Sequence, residues 1–312
     1  MISLGLGLGA RRPHTASEGT LRRRSLRKRL ASAFAAFALA VPLACAAPLP
    51  GSEDKTLRVC DDPNNMPLSN AKGEGFQNRI AQLLADQLGW KLEYTFFPQR
   101  MGFVRNTLRA RDKEHDRFKC DLIMGVPVGF ELASATQPYY RSTYVMVFKR
   151  GRGLDDVKTP EDLLKIDPAK LKSLKFGLFQ QTPPTDWLLR SKLIDQAVPY
   201  TQQSADPAEY PGQMITRELA QDKIDVAFVW GPIGGYFVKS ARPGEYAVVP
   251  FKPEPSIQFD YPIAMGVRFG EKEWKAEVER LLTQNRGAID RILLEYGVPL
   301  LDDKGEPMTA PR

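Results

Sequence analysis

The chain has 312 residues, 43% of them hydrophobic, enough for a buried core and suggestive of two domains. A formal net charge of +7 invites a nucleic-acid or anionic-membrane reading, but the distribution excludes it. Eight of the 44 Lys/Arg and one of the 37 acidic residues lie in residues 1–46, so the remainder carries 36 of each sign and is neutral.

That basic segment reads as an export signal. RRRSLRKRL precedes ASAFAAFALAVPLACA, an apolar run that contains Pro42 and falls short of the ~20 residues a membrane span needs. Ala44-Cys45-Ala46 has the small-x-small form of a cleavage site, so residues 1–46 are read as a signal peptide and Ala47 as the first mature residue. No membrane insertion is expected after cleavage. The competing readings are a transmembrane anchor and a lipoprotein on Cys45, for which Pro42 stands where Leu is wanted. Arg23-Arg24-Ser25-Leu26 resembles a twin-arginine signal, which leaves the Sec and Tat routes both open, and the long prefix before Arg22 allows a misassigned start. Cleavage leaves Cys60 and Cys120. In an oxidising compartment the pair is most simply a disulfide, with a reactive or metal-bound thiol as the alternative. The histidines are His14 and His115, so a His-based triad or multi-His metal site has almost nothing to draw on. His115, in ARDKEHDRFK, is expected at the surface.

In chain order, TLRVC (56–60) reads as a strand. FQNRIAQLLADQLG (76–89) has helical spacing with Gly89 as its stop. KLEYTFF (91–97) alternates like a strand, GFVRNTLRARD (102–112) reads as a helix and CDLIMGV (120–126) as a buried strand. YRSTYVMVFKR (140–150) is a long β-rich run. A second cycle follows: a helix capped by Thr159 with Pro160 in its first turn, strand 174–180, helix 185–193, strand 197–200, helix 210–223, strand 224–231 and helix 234–241. Strands at 245–251 and 261–269 precede an amphipathic tail broken near Gly287.

This βαβ order implies an α/β protein with parallel sheets. The β-rich segments near 140–150 and 245–265 suggest two lobes with two hinge crossovers: lobe 1 from residues 55–148 and 249–312, lobe 2 inserted as 149–248. Ligands of open α/β sheets sit beyond the carboxyl ends of the strands. The candidate cleft residues are therefore Asp61, Asp62, Asn64 and Asn65 after the first strand, Gln99 and Arg100 after the second, and Gly125 after the third. Tyr140 and Arg141 at the crossover and Gln181, Thr182 and Trp230 from the second lobe complete the set. Asp61 and Asp62 with the Asn64 or Asn65 carbonyls offer a hard-cation site. Adjacent side chains on an extended backbone point apart, however, and Pro63 and Pro67 fix φ. The favoured reading is a turn forming a cleft wall, with no metal site and no tight response to Ca²⁺ or a lanthanide. Tyr139, Tyr140, Tyr144 and Trp230 read as an aromatic hinge and core, or as a stacking platform for a flat ligand. Arg100 is either a cleft donor or a helix-start residue. Asp155-Asp156 and Glu161-Asp162 look like solvated helix-start charge, and nothing resembles a nucleophile elbow. No catalytic residue is assigned, and the chain is not expected to be an enzyme.

The array resembles type II periplasmic solute-binding proteins. More narrowly, RVCDDPNNMPLSN with GEGFQNRIA, FFPQRMGFVRNTL, CDLIMGVPVGFELASATQPYYRSTYVMV and DVAFVWGP is similar to the accessory proteins encoded with quinoprotein methanol dehydrogenases, the MxaJ and XoxJ type. The resemblance covers nearly all of the mature chain. It implies a bilobal, periplasmic, non-catalytic protein whose partner is a dehydrogenase carrying pyrroloquinoline quinone (PQQ) and a metal ion. It implies no tightly bound cofactor, and leaves open transient binding of PQQ or another small molecule. The alternative is an ABC-transporter substrate-binding protein for a small solute. Departures from the superfamily's amino-acid binders disfavour an α-amino acid ligand. Glu131-Leu132 stands where their Glu-Arg pair, whose arginine clamps the ligand carboxylate, would be, and Trp230-Gly231 where an aspartate holds the ligand amine. Gln180-Gln181-Thr182-Pro183-Pro184 replaces the N–H-donating turn, and its prolines have no N–H to give. Arg100 or Arg141 remains as a cation for another anion.

Overall fold

Six consecutive buried residues, Thr56–Asp61, form strand β1 of the computed structural model, which describes residues 48–201, 206 and 208–312. The predicted signal peptide lies outside the described residues. Unbroken burial along β1 marks a strand covered on both faces. Next, β2 (Asn64–Asn65) and β3 (Ser69–Asn70) pair as a hairpin around a cis Met66–Pro67 bond. Helix α1 (Phe76–Leu88) begins where the Asn78 side chain accepts from the Gly75 N–H at 3.0 Å, and stops at Gly89, whose φ of 65° suits a residue without Cβ. Strand β4 (Lys91–Phe96) follows.

The helix expected over 102–112 lasts one turn, α2 (Phe103–Asn106). Buried Thr107 turns its hydroxyl back to the Phe103 carbonyl at 2.7 Å. The Leu108 carbonyl accepts from the Arg268 guanidinium at 3.2 Å instead of from a later N–H. The chain then enters the hairpin β5 (Arg111–Asp112) and β6 (Arg117–Phe118), which carries exposed His115. Strand β7 (Leu122–Pro127) completes the first cycle, and β8 (Ser134–Ala135) leads to the ten-residue β9 (Tyr140–Lys149).

In the second cycle α3 (Pro160–Leu163) is capped as expected: the Thr159 hydroxyl accepts from the Asp162 N–H, and Asp162 accepts in return from the Thr159 N–H at 2.9 Å. A further helix that periodicity does not announce, α4 (Pro168–Ser173), starts at Asp167, whose carboxylate accepts from the Lys170 N–H at 2.8 Å. Strand β10 (Phe176–Phe179), helix α5 (Pro183–Arg190), a 3-10 turn and β11 (Ala197–Tyr200) follow. In place of an α-helix over 210–223 there is a π-helical segment, Met214–Leu219. Its wider turn brings Met214, Glu218 and Leu219 to one buried face. The chain continues through β12 (Val226–Trp230), α6 (Gly231–Ser240), β13 (Tyr246–Pro250) and β14 (Asp260–Val267). Helices α7 (Lys272–Gln284) and α8 (Arg286–Glu295) break at Asn285, two residues before Gly287. There the Asn285 amide donates to the Leu281 carbonyl at 2.9 Å.

Two parallel sets meet through two antiparallel strands, in the order β11-β10-β12-β9-β14-β7-β1-β4. β9 serves both sets. Tyr140–Thr143 pair with β14, and Tyr144–Phe148 pair with β12. One hydrophobic cluster packs α1, α7 and α8 against β1 and β7, around Phe76, Ile80 and Trp274. Clusters around Phe176, Trp187 and Phe228 and around Val147, Ile215 and Ala227 cover the other half. Gly235 lets α6 reach the turn after α8, since a Cβ there would lie 1.9 Å from the Gly297 carbonyl oxygen.

Candidate functional site

The expected disulfide is present. Cys60 and Cys120 join the end of β1 to the residue pair before β7, with Cα atoms 5.4 Å apart and both residues fully buried. Around them Phe103, Val104, Leu108, Ile123 and Val126 form a small apolar cluster under the strand ends. This cluster is the floor on which the loops after β1, β4 and β7 stand.

The DDPNN turn is built by its own side chains. The Asp61 carboxylate accepts from the Asp62 N–H at 3.0 Å. Asp62 accepts from the Asn64 N–H at 2.8 Å and from the Gln99 N–H at 2.5 Å. The Asn65 amide donates to the Gln99 side-chain oxygen at 3.0 Å, and Ser69 donates to the Asp62 carbonyl at 2.8 Å. Asp62, Asn65 and Gln99 thus lock the loop after β1 to the loop after β4. The two aspartates diverge, as neighbours on an extended strand must. Asp61 faces inward toward Tyr94 and Tyr139, and burial raises its carboxyl to about 7, with one oxygen lacking a hydrogen-bond partner. Burial likewise pushes the Tyr94 hydroxyl up to about 12. Among the described residues, no group of three or more His, Cys, Asp or Glu side chains is placed to hold a metal ion.

Gln99, Arg100 and Gly125 come together on one open groove of about 400 Å³ between the loops after β4 and β7. Gly125 keeps its wall close to buried Gln77, since a Cβ would lie 2.4 Å from the Gln77 amide nitrogen. The other candidates fall elsewhere. Tyr140 is a core residue, only 3% exposed, edge-on to Phe76 at 6.1 Å and hydrogen-bonded to Trp230, so it offers no stacking face. Tyr144, Trp230 and Tyr261 pack edge to face, with centroids 5.4–6.4 Å apart, where β9 passes from one half to the other. Arg141 is ion-paired with Asp260 on the neighbouring strand, so its charge is already matched. Thr182 is buried, its hydroxyl donating to the Phe179 carbonyl at 2.6 Å, while the adjacent Gln181 is exposed with φ 60°. Sequence reading missed Asp260, Tyr261 and the groove's apolar walls. For the groove, the one sequence signal was the hydrophobic residues Met101, Val128 and Leu132 set within polar loops; nothing local pointed to Asp260 or Tyr261.

Two α/β halves joined by strands shared between them, with polar and Gly/Pro loops gathered at the strand ends, define a bilobal periplasmic binding protein of type II fold. No protein-family model matches the chain. Similar solved structures include the periplasmic binding protein XoxJ from Methylobacterium extorquens AM1, 38% identical, covering 79% of this chain and 100% of XoxJ, with a TM-score of 0.62. MxaJ from Methlophaga aminisulfidivorans MPT is 24% identical, covering 78% of this chain and 100% of MxaJ, with a TM-score of 0.64. Protein MoxJ from Paracoccus denitrificans is 28% identical over 267 residues, 81% of this chain and 92% of MoxJ. The chain belongs to the XoxJ/MxaJ family of periplasmic binding proteins.

Proposed function

We propose that this protein acts in the periplasm as a non-catalytic accessory to a PQQ- and metal-dependent methanol dehydrogenase, through contact with that enzyme. The likeness to XoxJ along that protein's whole length carries the reading. Two features of the site support it. The amino-acid clamp is missing: Leu132 follows Glu131 where the clamping arginine would stand, and Arg141 is ion-paired with Asp260. The residues that sequence placed at a ligand cleft are largely absorbed into loop and core bonding, which suits a surface that holds its shape for a partner. Transient capture of PQQ or another small anion remains a second use of the arginine-lined groove. No helix among the described residues is long and apolar enough to cross a membrane.

A strain deleted for this gene tests the reading. Lost methanol dehydrogenase activity with normal solute uptake supports it. Unchanged dehydrogenase activity would overturn it, and a defect confined to uptake of one solute would replace it with the importer reading.

A further inference from the structure

The groove between the loops after β4 and β7 combines two properties. Its floor is apolar, formed by Phe103, Ile123, Val126 and Phe130. Of the six large hydrophobic side chains exposed among the described residues, three stand on its two loops: Met101 at 89%, Val128 at 50% and Leu132 at 49%. Single exposed hydrophobics are ordinary, but a cluster around a concave surface marks a contact site. The second property is charge. Arg100, Arg105 and Arg109 line the groove, and no lining residue is acidic. In a mature chain with equal numbers of acids and bases, three arginines at one groove form a local cationic patch. Arg109 also donates to the Leu132 carbonyl at 2.7 Å, which ties one wall to the other. The floor belongs to the cluster that encloses the buried disulfide, so the groove is held in shape before anything binds.

We infer that this groove docks an acidic segment of a partner protein, an apolar side chain entering between Met101 and Leu132 while flanking carboxylates meet Arg105 and Arg109. A small ligand fits less well, because small-molecule sites bury most of their ligand whereas here Met101, the most exposed large hydrophobic among the described residues, stands at the rim. The inference deepens the partner-contact reading and rests on it. It supplies the surface and its chemistry: apolar anchoring for affinity, arginine for orientation and encounter rate.

The test measures binding of the mature protein to its purified methanol dehydrogenase by titration calorimetry or surface plasmon resonance. Variants are Met101→Asp, Arg105→Glu and their combination, with Leu189→Asp, an exposed hydrophobic on α5, as control. Thermal unfolding checks that all remain folded. The double variant is expected to bind at least about tenfold more weakly, with a flatter salt dependence than wild type, and Leu189→Asp to bind normally. Wild-type binding with no loss in the double variant overturns the groove but leaves the accessory reading standing. No binding by the wild-type protein at any salt concentration overturns both.

Discussion

Asp62 and Gln99 join two loops that are 37 residues apart: the Asp62 carboxylate accepts the Gln99 backbone N–H at 2.5 Å while also capping Asn64. A carboxylate that satisfies two buried or half-buried N–H groups is costly to remove. Asp62→Ala is expected to lower unfolding stability by about 1–3 kcal/mol, and Asp62→Asn, which keeps an acceptor oxygen, by less. Urea unfolding of the two variants checks this. Equal, negligible effects would show that the loop is held by other contacts.

The Cys60–Cys120 bridge closes a loop with a sequence separation of 60 and is inaccessible to solvent. Chain-entropy arguments give it about 4 kcal/mol. In mature oxidised protein, thiol titration should find no reactive thiol either native or denatured, and two after reduction in denaturant. Mild reductant without denaturant should act slowly. Two thiols in the untreated protein would refute the bridge.

Asp61 makes stability depend on pH. Burial raises its folded-state pKa from 3.8 to about 7. The folded chain therefore keeps a proton that the unfolded chain has released, and the group's contribution falls as pH rises from about 4 to about 7, then levels off. Relative to wild type, Asp61→Asn should gain stability across that window, up to on the order of 4 kcal/mol. Paired urea titrations at several pH values measure it. A difference that does not change with pH would show that Asp61 does not titrate in this range.

Arg268 gathers the first half's core. It donates to Asp121 and to the Cys120 carbonyl, each at 2.5 Å, to Glu271 at 2.6 Å, and lies 4.1 Å from the centre of the Phe118 ring. Truncation to Ala would leave buried Asp121 with only Arg58, 3.7 Å away. Arg268→Ala should cost about 3–5 kcal/mol. Arg268→Lys should recover only part of that, because one ammonium cannot span the same forked set of acceptors. Thermal unfolding with full recovery in the Lys variant would argue against the forked geometry.

Elements with a local signal were legible from the residues alone: β1, α1, β4, β9, β12 and the α7–α8 tail, the Thr159 cap, the cysteine pairing and the family. Periodicity, capping chemistry and a two-cysteine inventory are properties of short segments or of composition, so they are readable without coordinates. The same local rules failed where distant groups intervened. The helix at 102–112 was cut short as Thr107 turned back on Phe103 and the Leu108 carbonyl went to Arg268, 160 residues away. Arg141 looked like a ligand cation until its neighbour in the sheet proved to be Asp260, 119 residues on. Which charges are matched, which tyrosines are interior and which loops face each other across a groove depend on strand register and on how two halves share β9 and β14. Those relations couple residues far apart in the chain, and they are set when the folded sheet brings those residues together.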